Sequence, residues 1–156
     1  MSLIMRKVLT ALLVLVYISL GFFREFVFLN VNEQMRVTYY NTTDSHLSPV
    51  LNVLTEFSYA QLYYSKWPLT LLFAALFCLL AVLVIRTAFN TKVYTKLILL
   101  AYSGVFVLGA LLFFAGTLLG NSAAVYDLSR FLAGLVESPL LLLMLGAGIL
   151  YYRKSE

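Results

Sequence analysis

Glu137 is the residue of this 156-residue chain whose surroundings most constrain its chemistry. It interrupts an apolar run that ends at Tyr152, sixteen residues before Arg153, a distance of about 24 Å along a helix. A carboxylate at that depth in a bilayer costs a few kcal/mol unless it is paired, hydrated or protonated. Its possible partners are few. Arg130 lies seven residues earlier and so shares its helical stripe, and Asp127, three residues before Arg130, can pair with it locally. Arg24 and Glu25 fall near the end of the first apolar segment, at a comparable depth. The sequence therefore predicts a polar cluster of Arg24, Glu25, Asp127, Arg130 and Glu137 towards one face of the membrane. Two readings follow: a ligand, proton or ion site opening outward, or an ion-pair network locking the first span to the fourth. Ser138-Pro139 adjoins the glutamate, and the proline leaves the Leu135 carbonyl without its helical donor.

Other reactive side chains are scarce. Cys78 is the single cysteine and lies mid-span beside Phe77, Leu79 and Leu80, with no cation or base to stabilise a thiolate. His46 is the single histidine, in a polar stretch, so neither metal nor two-histidine haem ligation is expected. The ten residues from Asp127 to Glu137 span nearly three turns and suggest no acid/base pair by themselves. No phosphate-cradling glycine loop or Ser/His/Asp set is present. No catalytic residue, cofactor or metal is expected.

The elements that must position these residues follow from composition. Hydrophobic residues make up 62% of the chain and charged ones 12%, with a mean hydropathy of +0.93. That is too little charge to coat a water-facing domain of this size. An all-α integral membrane protein is expected: one domain over residues 1–156, with four transmembrane helices in a bundle. The spans are expected at about 7–29, 68–86, 96–119 and 129–152, each near the ~20 residues that a bilayer requires. The first could imitate a secretory signal, with Arg6-Lys7 before it and Ser19-Leu20-Gly21 within it. Its apolar character resumes past Gly21, so a retained helix is expected. A helix from Met5 to about Gln34 would measure about 45 Å.

Seven of the eleven basic residues (Arg6, Lys7, Arg86, Lys92, Lys96, Arg153 and Lys154) flank the spans on one side. The positive-inside rule places both termini in the cytoplasm, with a bacterial inner membrane favoured. This scattered charge also accounts for the pI of 9.2 without a nucleic-acid partner, for which no basic stripe exists.

Residues 30–67 form the one long loop, on the outer side. Ser48-Pro49 opens an expected interfacial helix over about 49–64, whose apolar face (Leu47, Val50, Leu51, Leu54, Phe57, Leu62) is interrupted by Ser58 and Gln61. Pro68 is expected to open the second span. Tyr59, Tyr63, Tyr64 and Trp67 crowd the end of that helix and form a candidate docking surface. The loop is either a cover for the bundle or a platform for a partner. Asn41-Thr42-Thr43 matches a glycosylation acceptor.

Small residues bear on packing. Gly109, Gly116 and Gly120 on the third span, and Gly134 and Ser138 on the fourth, recur at spacings that let backbones approach, within the bundle or across a homo-oligomer seam. Expected partners are thus the lipid bilayer, a membrane protein and, through these faces, a second copy. The sequence points first to a non-enzymatic subunit or assembly factor of a larger membrane complex, docking through the outer loop. The alternative is a small transporter or ligand-binding protein built on the Glu137 cluster.

Overall fold

The computed structural model describes residues 2–42, 44–118 and 123–155, and every regular element among them is helical. The elements are α1 (Leu3–Tyr40), a 3-10 helix (Pro49–Glu56), α2 (Tyr59–Phe89), α3 (Thr95–Leu118), α4 (Ala123–Val136) and α5 (Pro139–Ser155). Three of them, α1, α2 and α3, are long and apolar enough to cross a membrane, and α4 with α5 makes a fourth if that bent pair acts as one span. The chain is thus all-helical, with the helices a multi-pass membrane protein requires.

Two ends can be distinguished. At the first, Ser2 caps α1 by accepting a hydrogen bond from the Met5 amide, and Asn90 closes α2 in the left-handed conformation (φ 53°). The Arg153 guanidinium stacks over the Phe89 ring 5.6 Å away, bringing the end of α5 to the same place. The second end carries Tyr40, the 3-10 helix and the start of α2.

At that second end the expected outer loop is largely helical. α1 runs eleven residues past the expected boundary, giving 38 residues and about 57 Å of helix against a hydrocarbon core of about 30 Å. The helix persists because its polar side chains find local partners. Asn30 donates to the Phe26 carbonyl and Thr38 to the Gln34 carbonyl, both at 2.8 Å. On the neighbouring stripe Val31 and Met35 pack against Leu62 of α2 in a small second core. Asn41, left-handed at φ 51°, ends the helix.

The single helix expected over 49–64 is also replaced. Residues 49–56 form a 3-10 helix kinked at Leu51, and Phe57 is extended. Ser58 and Gln61, which interrupt the apolar face, are the reason. The Gln61 amide donates to Ser58 Oγ (3.4 Å) and the Ser58 amide donates to Gln61 Oε1 (2.9 Å), a reciprocal cap that starts α2 at Tyr59. Pro68 therefore lies inside α2 rather than opening it.

The core runs along α2, the most enclosed of the long helices. Of its most apolar 18-residue stretch 39% is buried, against 6% for α1 and 17% for α3. Phe73, Phe77, Ala81 and Ile85 recur along one face of α2 and meet Tyr17, Ile98, Tyr102, Val136 and Ile149. Gly109 and Gly116, two turns apart on α3, both face α4. A Cβ at Gly109 would lie 3.4 Å from that of Leu132, and one at Gly116 would lie 3.2 Å from Val125 Cγ1. Gly134 meets open space, and Gly120 lies outside the described residues, as does Thr43 of the glycosylation triplet.

The fourth span is not one helix over 129–152. α4 and α5 meet at Glu137-Ser138 with a bend of 65°. Pro139, lacking an N–H, cannot bond back to Leu135. That carbonyl instead accepts from the Ser138 amide (3.3 Å) and from Ser138 Oγ (3.0 Å), so the break is repaired locally.

Candidate functional site

The α4–α5 break is the polar centre of the molecule. Glu137 ends the α4 side with its side chain 1% exposed, and Arg24 of α1 reaches it. Arg24 Nε and Nη2 both donate to Glu137 Oε2, at 2.8 and 2.6 Å. Because one carboxylate oxygen takes both bonds, the other, Oε1, is buried without a partner among the described residues. Arg24 Nη1 donates to Glu25 (3.2 Å), whose side chain is 60% exposed, so the pair is wet on one side. The guanidinium also lies over the Phe28 ring, 4.7 Å from its centre.

Two turns before Arg24 on the same stripe of α1, Tyr17 approaches the break from within. Its hydroxyl shares a hydrogen bond of 2.7 Å with that of Tyr102 on α3, and donates at 3.2 Å to the Ser138 carbonyl. Its ring packs edge-on against Phe77 of α2. α1 thus holds both residues of the break, Glu137 by charge and Ser138 by a neutral bond, while α3 contributes through Tyr102. Tyr17 and Tyr102 escape a search for charge. A single hydroxyl in an apolar run carries no pairing information, and only tertiary placement brings these two together.

Of the five residues expected to cluster, the structure brings together Arg24, Glu25 and Glu137. Asp127 and Arg130 stand apart, and this is a correction. Both are exposed, and among the described residues no ion pair joins them to each other or to Glu137. Arg130 lines a cleft between α2, α3 and α4 that it shares with Lys66. Next to it on α4, Ser129 is buried and donates to the Gly109 carbonyl at 2.8 Å, tying α4 to α3 where the glycine lets them approach.

The second polar assembly lashes residues 44–48 to the projecting turns of α1. Asn30 Oδ1 accepts from the Ser48 amide (2.7 Å), and Glu33 Oε1 accepts from the His46 amide (2.9 Å). Arg36 donates to both oxygens of Glu33 (2.8 and 3.0 Å) and to the Asp44 carbonyl (3.0 Å). The Arg36 hydrogen bonds, then that from His46, pull the Glu33 carboxyl from 4.5 down to about 2. His46 itself is exposed, its ring nitrogen 4.0 Å from Asp44.

Beside this lashing runs a chain of exposed tyrosines. Tyr40 meets Tyr39 (ring centres 5.0 Å apart), Tyr39 meets Tyr59 (5.5 Å), Tyr59 stacks on Tyr63 (6.3 Å) and Tyr63 meets Tyr64 (5.5 Å). Three of the four expected docking residues belong to this ladder. The fourth, Trp67, turns to α3 and packs edge-on against Phe113 at 4.8 Å. Tyr39 and Tyr40 are additions that only the extension of α1 places here.

Among the described residues no three of His, Cys, Asp and Glu converge as metal ligands. Comparison of the chain with models of protein families, with curated proteins and with solved structures finds no match.

Proposed function

We propose that this chain is a non-enzymatic subunit or assembly factor of a larger membrane complex, and that it docks a second membrane protein through the tyrosine ladder. One observation carries the reading: five tyrosines from two helices form a continuous exposed surface on a base fixed by the Asn30, Glu33 and Arg36 hydrogen bonds. Tyrosine supplies large, amphipathic contact area at low conformational cost and is enriched where proteins meet. A base already ordered lowers the entropic cost of docking. The distribution of basic residues supports an outer location for this end and a cytoplasmic one for both termini, in a bacterial inner membrane.

The test places a photo-crosslinking amino acid at Tyr64 in the native host, with Leu111 of α3, an exposed apolar position, as the control. The expected result is a crosslink from position 64 to one membrane protein, lost when Tyr39 and Tyr59 are changed to alanine. Crosslinks to the same protein from both positions, or from position 64 only to another copy of this chain, would overturn the reading.

A second reading is favoured by the bare Oε1 of Glu137: a small transporter or ligand-binding protein in which that oxygen takes a proton or a ligand donor. Glu137→Gln should then abolish pH-dependent flux or binding, and unchanged behaviour would rule this reading out.

A further inference from the structure

The cleft shared by Lys66 and Arg130 has the opposite character to the break. Its volume is about 200 Å3, and three helices line it at helical spacing. α2 presents Tyr63, Lys66, Trp67 and Thr70. α3 presents Phe106, Ala110 and Phe113, and Ser129 and Arg130 come from α4. No acidic side chain lines it, and among the described residues neither cation has an ion-pair partner. Both positive charges open onto this one cleft. Two cations on one cleft, with no ion-pair partner among the described residues, leave an unmet electrostatic demand.

Position narrows what meets that demand. Lys66 lies two residues before the apolar run of α2 that begins at Pro68, and Arg130 directly precedes the apolar residues 131–136 of α4, positions from which long cationic side chains can snorkel to headgroups. On its α3 side the cleft is walled by Phe106, Ala110 and Phe113, which suit a hydrocarbon chain. We infer that the Lys66–Arg130 cleft is a binding site for an anionic phospholipid, whose phosphate lies between the two cations and whose acyl chain lies against the α3 wall. The inference is independent of the docking proposed for the tyrosine ladder.

Trp67, the chain's single tryptophan, lines the cleft and reports on it directly. The full chain is reconstituted into phosphatidylcholine vesicles containing a small fraction of brominated phosphatidylglycerol, or of brominated phosphatidylcholine as reference, and Trp67 fluorescence is measured. The brominated anionic lipid should quench well beyond its mole fraction, with a relative association constant roughly 30-fold above that of the neutral lipid. The K66Q/R130Q variant should bring the two lipids level. If that variant does not fold, Arg130→Gln alone, at an exposed position, should lower the preference roughly fivefold. Equal quenching by both lipids in the unaltered protein, or a preference that survives loss of the cations, would overturn the inference. So would displacement of the brominated lipid by inorganic phosphate but not by chloride at equal ionic strength, which would mark a site for a free anion.

Discussion

Two arginines of this chain, Arg24 and Arg130, show how depth decides what a charge requires. Arg24 meets a carboxylate that is 1% exposed, and the chain supplies the pair from helices 113 residues apart in sequence. Arg130 lies exposed on the rim of a cleft beside a second cation, and among the described residues no ion pair joins it to an acid. A charge removed from both water and lipid headgroups must be matched from within the protein, whereas one at the boundary can be matched by whatever solvates that boundary. The first arrangement fixes the fold. The second leaves an open demand for a ligand.

The comparison is broken most strongly at the buried pair. Arg24→Leu leaves the Glu137 carboxylate without its cation and should destabilise the protein by about 3–5 kcal/mol, measured by equilibrium unfolding in mixed micelles. Arg24→Leu combined with Glu137→Leu should recover most of that loss, because the unmatched charge is gone. Arg130→Gln should change stability by less than about 0.5 kcal/mol in the same assay. Equal losses at the two arginines would remove the distinction.

Gly109 shapes the cleft side of this comparison, since it admits α4 against α3 and its carbonyl holds Ser129 beside Arg130. Gly109→Leu should force the helices apart at a cost of about 1–3 kcal/mol, with a change in Trp67 fluorescence as the local readout. Next in size, Tyr102→Phe removes a buried hydroxyl from the neutral tie and should cost about 1 kcal/mol, with Arg24 and Glu137 untouched. A null effect there would leave the Tyr17–Ser138 bond and the ion pair as the ties between α1 and the break.

The smallest effect lies at the projecting end and depends on pH. Glu33 is held down to about 2 in the folded chain against an ordinary 4.5, so the unfolded chain takes up its proton first as pH falls. The contribution of Glu33 is complete above 4.5 and fades towards about 2. Protection of the His46 amide, whose hydrogen bond Glu33 accepts, should fall over that window relative to its intrinsic exchange rate, and Glu33→Gln should flatten the profile.

Much of this architecture is legible in the sequence, and the gaps have physical causes. Three spans stand out because their apolar runs are long enough to cross a bilayer, a property independent of tertiary contacts. The demand of Glu137 for a partner follows from its depth alone. Choosing among Arg24, Arg130 and others requires helix rotation, which a single sequence with uniformly apolar spans does not encode. The projecting part of α1 reads as a loop because Asn30, Gln34 and Thr38 are polar. Their partners lie along the same helix and in residues 44–48, a pairing invisible to periodicity. The start of α2 was readable: Ser58-Tyr59-Ala60-Gln61 has the spacing of a reciprocal cap, a stronger signal than the apolar face it interrupts. The Tyr17–Tyr102 bond had no sequence signal at all.

The break at Glu137-Ser138 also bears on how the molecule enters its membrane. α4 has 14 residues and α5 has 17, or about 21 and 26 Å of helix, each short of the about 30 Å of hydrocarbon. Each half alone is at or below the length that a bilayer requires, and between them stands a carboxylate that is costly in hydrocarbon unless paired. Because Arg24 on α1 pairs with Glu137, a chain whose α1 is swapped for a plain leucine helix should insert its C-terminal segment less completely, measured by protease accessibility of that segment in membranes.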